Sequence, residues 1–107
     1  MAAKRNLETS EQIRNRVNEA IAMDPDLDGV DLRVFLYLSS RVGFEDYIHV
    51  PQIELATVLG RHKTHISRAI RKLTENGVIV PSPKGARASE WRLNPDYGRV
   101  TTSRSQR

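Results

Sequence analysis

The chain has no cysteine. That absence excludes disulfides and thiolate zinc sites, and with them any sign of an oxidising compartment, so the expected location is the cytoplasm. Long apolar runs are missing too. Nothing approaches the roughly 18 residues of a membrane span, and the opening MAAKRNLETSEQ lacks the apolar stretch of a secretory signal. A soluble protein without a membrane partner is expected. Catalytic signatures are equally scarce: there is no Gly-rich phosphate loop and no pair of carboxylates with a histidine partner on a recognisable turn. The expectation is therefore a protein that is not an enzyme, with no cofactor and no evident small-molecule ligand. No internal repeat is present.

Two apparent metal motifs fail on their chemistry. DPDLDG, residues 24 to 29, has aspartates at the first, third and fifth places and glycine at the sixth, as a calcium loop does. The twelfth place, where a bidentate glutamate is required, holds Phe35. The aspartates are better read as helix terminators and caps. His62 and His65 stand three apart but lack a third ligand nearby in sequence. His62 is expected to cap or precede a helix, and no metal site is assigned.

What the chain does have is length enough, at 107 residues, for one hydrophobic core without a staple. It also has a lopsided charge. Residues 1 to 60 hold 6 Lys+Arg against 10 Asp+Glu, and residues 61 to 107 hold 11 against 3, giving −4 and +8 for the two halves of a chain of net charge +4. A basic half beside an acidic one is an electrostatic footprint for a polyanion, and nucleic acid leads the candidates.

The hydrophobic pattern predicts a first helix over TSEQIRNRVNEAIAM, with Ser10 as its cap and Ile13, Val17, Ala20 and Ile21 along one face. Asp28 can cap a second helix, GVDLRVFLYLSSRV, whose Val30, Val34, Phe35, Leu36 and Leu38 suggest a central, buried element. A brief strand is expected at Tyr47 to Val50. Pro51 suits the start of a third helix reaching Leu59, with Ile53, Leu55, Ala56 and Leu59 inward. A fourth helix runs from Lys63 to Asn76 and stops at Gly77 in a left-handed conformation. Val78 to Val80 and Ser89 to Leu93 then form a hairpin around the polar tip PSPKGARA, and Asn94-Pro95 ends it. Trp91, Phe35, Tyr37 and Leu38 are assigned to the core. The expected organisation is a flexible N-terminus over 1–8, one domain over 9–97 with an extra N-terminal helix at 9–23, and a flexible basic tail over 98–107 carrying Arg99, Arg104 and Arg107.

This order, helix, helix, strand, helix, helix, hairpin, predicts a winged helix-turn-helix: mainly α with a small β-hairpin wing. Counting from Gln52, that pattern asks for a small residue at the fifth place, glycine at the ninth and an aliphatic at the fifteenth, and Ala56, Gly60 and Ile66 stand there. Two helices crossing steeply touch at Ala56, Gly60 supplies a positive φ, and Ile66 plugs the second helix into the core. Arg61 departs from the aliphatic usual after the glycine. On a helical wheel Ile66, Ala69, Ile70 and Leu73 share one sector while Thr64, Arg68 and Arg71 oppose them. The N-terminal residues of a helix lying in a major groove face base edges, so Lys63, Thr64, Ser67 and Arg68 are the candidate readers, with Arg68 foremost for its two-pronged fit to guanine. Arg61, His65, Arg71 and Lys72 are the candidates for phosphate contact, and Lys84, Gly85 and Arg87 form the wing tip.

Residues 51 to 97 resemble the winged helix-turn-helix of MarR-type and Crp-type regulators, in which L-A-x-x-L-G, x-[ST]-R-x-[IVL]-x-x-L and G-[IVL]-[IV] recur. The closing W-R-L-N-P-D-Y is similar to the end of the winged domain in plasmid replication and maintenance proteins of the RepL kind. The resemblance covers somewhat under half of the chain. It implies base contact by Lys63, Thr64 and Arg68, backbone contact by Arg71, and a wing at Lys84 and Arg87. The first helix has no counterpart in it.

Three functions stay open at this level. One is a small dimeric regulator, a repressor binding double-stranded DNA. Another is a plasmid replication or partition factor on origin repeats, and the third is a protein-interaction module facing an acidic partner. A homodimer is expected because one recognition helix covers a half-site only. Leu7, Ile13, Val17 and Ile21 are the candidate interface, unless that stripe covers its own core.

Overall fold

The computed structural model describes residues 8–99. It is mainly helical with a small antiparallel sheet: α1 (Ser10–Met23), α2 (Gly29–Arg41), β1 (Ile48–His49), α3 (Gln52–Leu59), α4 (Lys63–Glu75), β2 (Ile79–Pro81), a 3-10 turn (Ala86–Ala88) and β3 (Glu90–Leu93). Among the described residues no helix is long and apolar enough to cross a membrane. The chain clusters into two compact units, one of residues 8–24 with 95–99 and one of residues 25–94.

In the first unit α1 is capped by Thr9, one residue before the expected Ser10. Its hydroxyl accepts from the Gln12 amide at 3.1 Å, and the Gln12 side chain accepts from the Thr9 amide at 2.9 Å. This reciprocal box satisfies two of the amides that a helix start leaves orphaned. The Arg16 guanidinium grips both Glu8 oxygens and donates to the Pro95 and Tyr97 carbonyls, each at 2.9 Å. The Tyr97 hydroxyl donates to Asp24 at 2.5 Å. Residues 95–98 are thereby tied to α1, and Gly98, assigned to the flexible tail from sequence, lies against Ala20: a Cβ on it would come within 2.7 Å of the Ala20 Cβ.

Two residues of the candidate dimer stripe turn inward. Val17 and Ile21 are buried in the single chain, at 1% and 4% exposure, and are not free to meet a second copy. Ile13 is half-buried, and Leu7 lies outside the described residues.

In the second unit Asp28 caps α2 as expected, paired with Asp31 in a second reciprocal box. α2 and α3 both pack on α4, and Val34, Leu38, Leu55, Ile66 and Leu73 are wholly buried. Two expected core residues face solvent instead, Leu36 at 64% and Ile53 at 60% exposure. The wheel explains both: at 100° per residue each lies more than about 100° from the centre of its helix's buried face. Tyr37, also assigned to the core, is half-buried, and its hydroxyl donates to Glu54 at 2.6 Å. Arg41 completes this cluster by bonding Glu54 and lying over the Tyr37 ring. The Tyr37 hydroxyl and then Arg41 hold the Glu54 carboxyl below the usual carboxylate range.

The sheet order is β1-β3-β2. Ile48 stands opposite Trp91, and Ile79 opposite Leu93. The brief strand before Pro51 thus joins the hairpin and makes β3 central. Trp91 is fully buried there, and its indole N–H donates to the Val50 carbonyl at 3.1 Å.

Candidate nucleic-acid interface

The passage from α3 to α4 is set by local backbone chemistry. Gly60 ends α3 at φ 65°, the left-handed region that favours glycine. The Arg61 amide closes the turn on the Ala56 carbonyl at 3.1 Å, and Ala56 is buried. The histidine expected to cap or precede α4 does cap it: His62 Nδ1 accepts from the Thr64 amide at 3.1 Å. The His62 and His65 rings meet edge to face with centroids 6.3 Å apart.

From that start α4 divides cleanly. Ile66, Ala69, Ile70 and Leu73 are buried, whereas Lys63, Thr64, His65, Ser67, Arg68 and Arg71 are exposed. The exposed side has two flanks. On the α2 flank Lys72 reaches Asp31 at 3.1 Å, and Asp31 is itself buried. That contact raises the Lys72 ammonium above its ordinary pKa, and Asp28 next to it is held low, chiefly by the Asp31 amide hydrogen bond. Lys72, grouped by sequence with the phosphate contacts, is therefore engaged in the capping network of α2. His65 and Arg68 border a small cleft on the same flank.

On the α3 flank the Ser67 hydroxyl donates to Gln52 Oε1 at 3.0 Å. Gln52 and Ser67 line a surface groove together with Arg71 and with Ala86 of the 3-10 turn. The side chains of Lys63, Arg68 and Arg71 have no hydrogen bond or ion pair among the described residues, and neither do those of Arg61 and Arg87. They differ in this from Arg16, Arg41 and Lys72, each held by a carboxylate.

The hairpin tip is more structured than a plain turn. Gly85, at φ 99°, leads into the 3-10 turn, whose last residue precedes Ser89 at φ 55°. The Ala88 carbonyl lies 3.1 Å from His49 Nδ1 on β1, which braces the tip from the neighbouring strand. Lys84 and Arg87 are both exposed, with the Lys84 ammonium 3.6 Å from Glu90.

Sequence spacing brought the α4 residues to one face. It missed Gln52 as a partner of Ser67 and Asp31 as a partner of Lys72, because those pairs meet only where helices cross and no local signal announces them. Comparison with protein-family models, with curated proteins and with solved structures returns no match for this chain.

Proposed function

We propose that this chain is a winged helix-turn-helix protein that binds double-stranded DNA by sequence, most simply as a small dimeric repressor in the cytoplasm. The observation that carries the reading is the solvent side of α4: its basic side chains Lys63, Arg68 and Arg71 are exposed and lack partners among the described residues, above a fully buried apolar face. A long basic side chain held by a carboxylate is already neutralised; these three are available to phosphates and base edges. The turn at Gly60, the buried Ala56 and the β2–β3 hairpin with Arg87 at its tip supply the scaffold such a helix needs.

In this reading Lys63, Thr64, Ser67 and Arg68 face base edges. Arg61, His65 and Arg71 face phosphates, and Lys84 and Arg87 lie along the backbone beside the groove. Dimerisation is part of the proposal because two half-sites one helical turn apart multiply affinity, and its surface lies elsewhere than at Val17 and Ile21.

Selection of bound duplexes from a random pool, followed by a salt titration, tests the proposal. With about four phosphates neutralised per subunit, about eight for the dimer, affinity should fall on the order of 10,000-fold between 50 and 200 mM salt. A flat salt response, or no enriched motif, overturns it. A palindromic motif marks the dimeric regulator, and a run of direct repeats marks the replication or partition factor instead.

A further inference from the structure

Ser67 is exposed on α4, yet its hydroxyl proton is already spoken for. A serine hydroxyl has one proton to donate and two lone pairs to accept with. Ser67 Oγ donates to Gln52 Oε1 at 3.0 Å, across the crossing of α3 and α4. Gln52 is the first residue of α3, and the contact sits in the surface groove beside Arg71, open to a ligand. With its proton engaged, the Ser67 oxygen presents lone pairs only.

That changes what it can read. Each base pair shows in the major groove one base with an amino donor, adenine N6 or cytosine N4, and one with a keto acceptor, guanine O6 or thymine O4. A freely rotating serine hydroxyl bonds either kind and so discriminates poorly. An oxygen that can only accept bonds the amino base and leaves a keto oxygen facing its lone pairs.

We infer that Gln52 is a positioning residue that turns Ser67 into an acceptor-only reader, selecting adenine or cytosine over guanine or thymine at the base it faces. This rests on the reading of α4 as the DNA-contacting helix. Because every base pair contains one amino and one keto base, the effect is to fix the orientation of a pair, whichever pair it is. The expected signature is therefore unusual: one motif position that accepts A and C alike and rejects G and T.

The test compares motifs selected from one random duplex pool by the native protein and by Ser67→Ala, Gln52→Leu and Gln52→Glu. The native motif should contain a position with A and C favoured over G and T by about five-fold, the ratio that one ordinary hydrogen bond supplies. Ser67→Ala should flatten that position and no other. Gln52→Leu frees the hydroxyl to donate and should also flatten it, although Ser67 remains. Gln52→Glu keeps an acceptor for the hydroxyl proton and should retain the preference, whatever its added charge does to overall affinity. Loss of the whole motif in Gln52→Leu with retention in Gln52→Glu supports the proposal through the second variant. A keto preference at the Ser67-sensitive position overturns it, as does a native profile in Gln52→Leu. A clear motif without any such position overturns this inference alone; no motif from the native protein overturns the DNA reading beneath it.

Discussion

Arg68 and Asp28 show how differently two charged residues can serve on neighbouring helices. Arg68 is exposed and has no partner among the described residues, so Arg68→Ala should leave stability nearly unchanged. If it reads a guanine, the same substitution should weaken binding to the selected site about 10- to 100-fold while hardly touching random duplex, since a two-pronged base contact is worth roughly 1–3 kcal/mol. Competition binding with both DNAs measures this, and equal losses on the two would remove Arg68 from the readers. Asp28 has a structural task. Its carboxylate accepts from the Asp31 amide at 3.2 Å, and that bond, with Lys72 nearby, holds its pKa below the ordinary 3.8. A carboxyl with a depressed folded pKa stabilises the fold fully above its unfolded value, and the contribution is lost as pH falls through the folded one. Asp28→Ala should therefore cost about 1 kcal/mol near neutrality, the usual loss for a helix cap. The gap between native and variant should close as pH is lowered below 3.8. Denaturant unfolding across that range tests the sign: a gap that widens in acid contradicts the capping account.

At the scale of elements, two glycines separate two kinds of constraint. Gly60 has φ 65° but open space where a Cβ would go. Gly60→Ala should cost only the left-handed penalty, about 1–2 kcal/mol, and Gly60→Asn less. Gly98 has φ 91° and also lies against Ala20. Gly98→Ala should therefore lose more than Gly60→Ala, and Ala20→Gly should recover part of the loss. Thermal melts of Gly60→Ala, of Gly98→Ala and of Gly98→Ala combined with Ala20→Gly decide whether contact or backbone alone is responsible. The strands carry a similar lesson. The sequence placed both hairpin strands within one residue, and it marked β1, because β-branched and aromatic residues cluster there. It could not show that β1 pairs with β3, since register is a matter of distance across the fold. Trp91 depends on that pairing, and Trp91→Phe, which orphans the Val50 carbonyl, should cost about 1–3 kcal/mol.

Across the whole molecule, charge is the dominant pattern. The halves of −4 and +8 are distributed so that many acidic residues have local tasks. Glu8 holds Arg16, Asp31 holds Lys72, and Glu54 holds Arg41. The basic residues left over on α4 and at the hairpin tip supply the field that the proposed function uses. If Arg61 and Arg71 meet phosphates, replacing either by alanine should lower the salt slope by about one and weaken all duplexes alike. Replacing Lys72, already engaged by Asp31, should change the slope less and stability more. Titrations of the three variants at several salt concentrations distinguish the roles.

The sequence by itself determined the helices, their stops at Gly60 and Gly77, the capping role of Asp28 and the two faces of α4. These are local matters of periodicity, left-handed φ and side-chain reach along a few residues. It misjudged Leu36 and Ile53, because an apolar residue within a helical run says nothing about which side its neighbours will cover. Only the tertiary structure decided that Val17 and Ile21 are already buried, that Lys72 is engaged by Asp31, and that the Ser67 proton is held by Gln52. Each of those depends on a partner brought close by packing, and the energy of a polar side chain is set by what stands within hydrogen-bonding distance of it, which residue order does not specify.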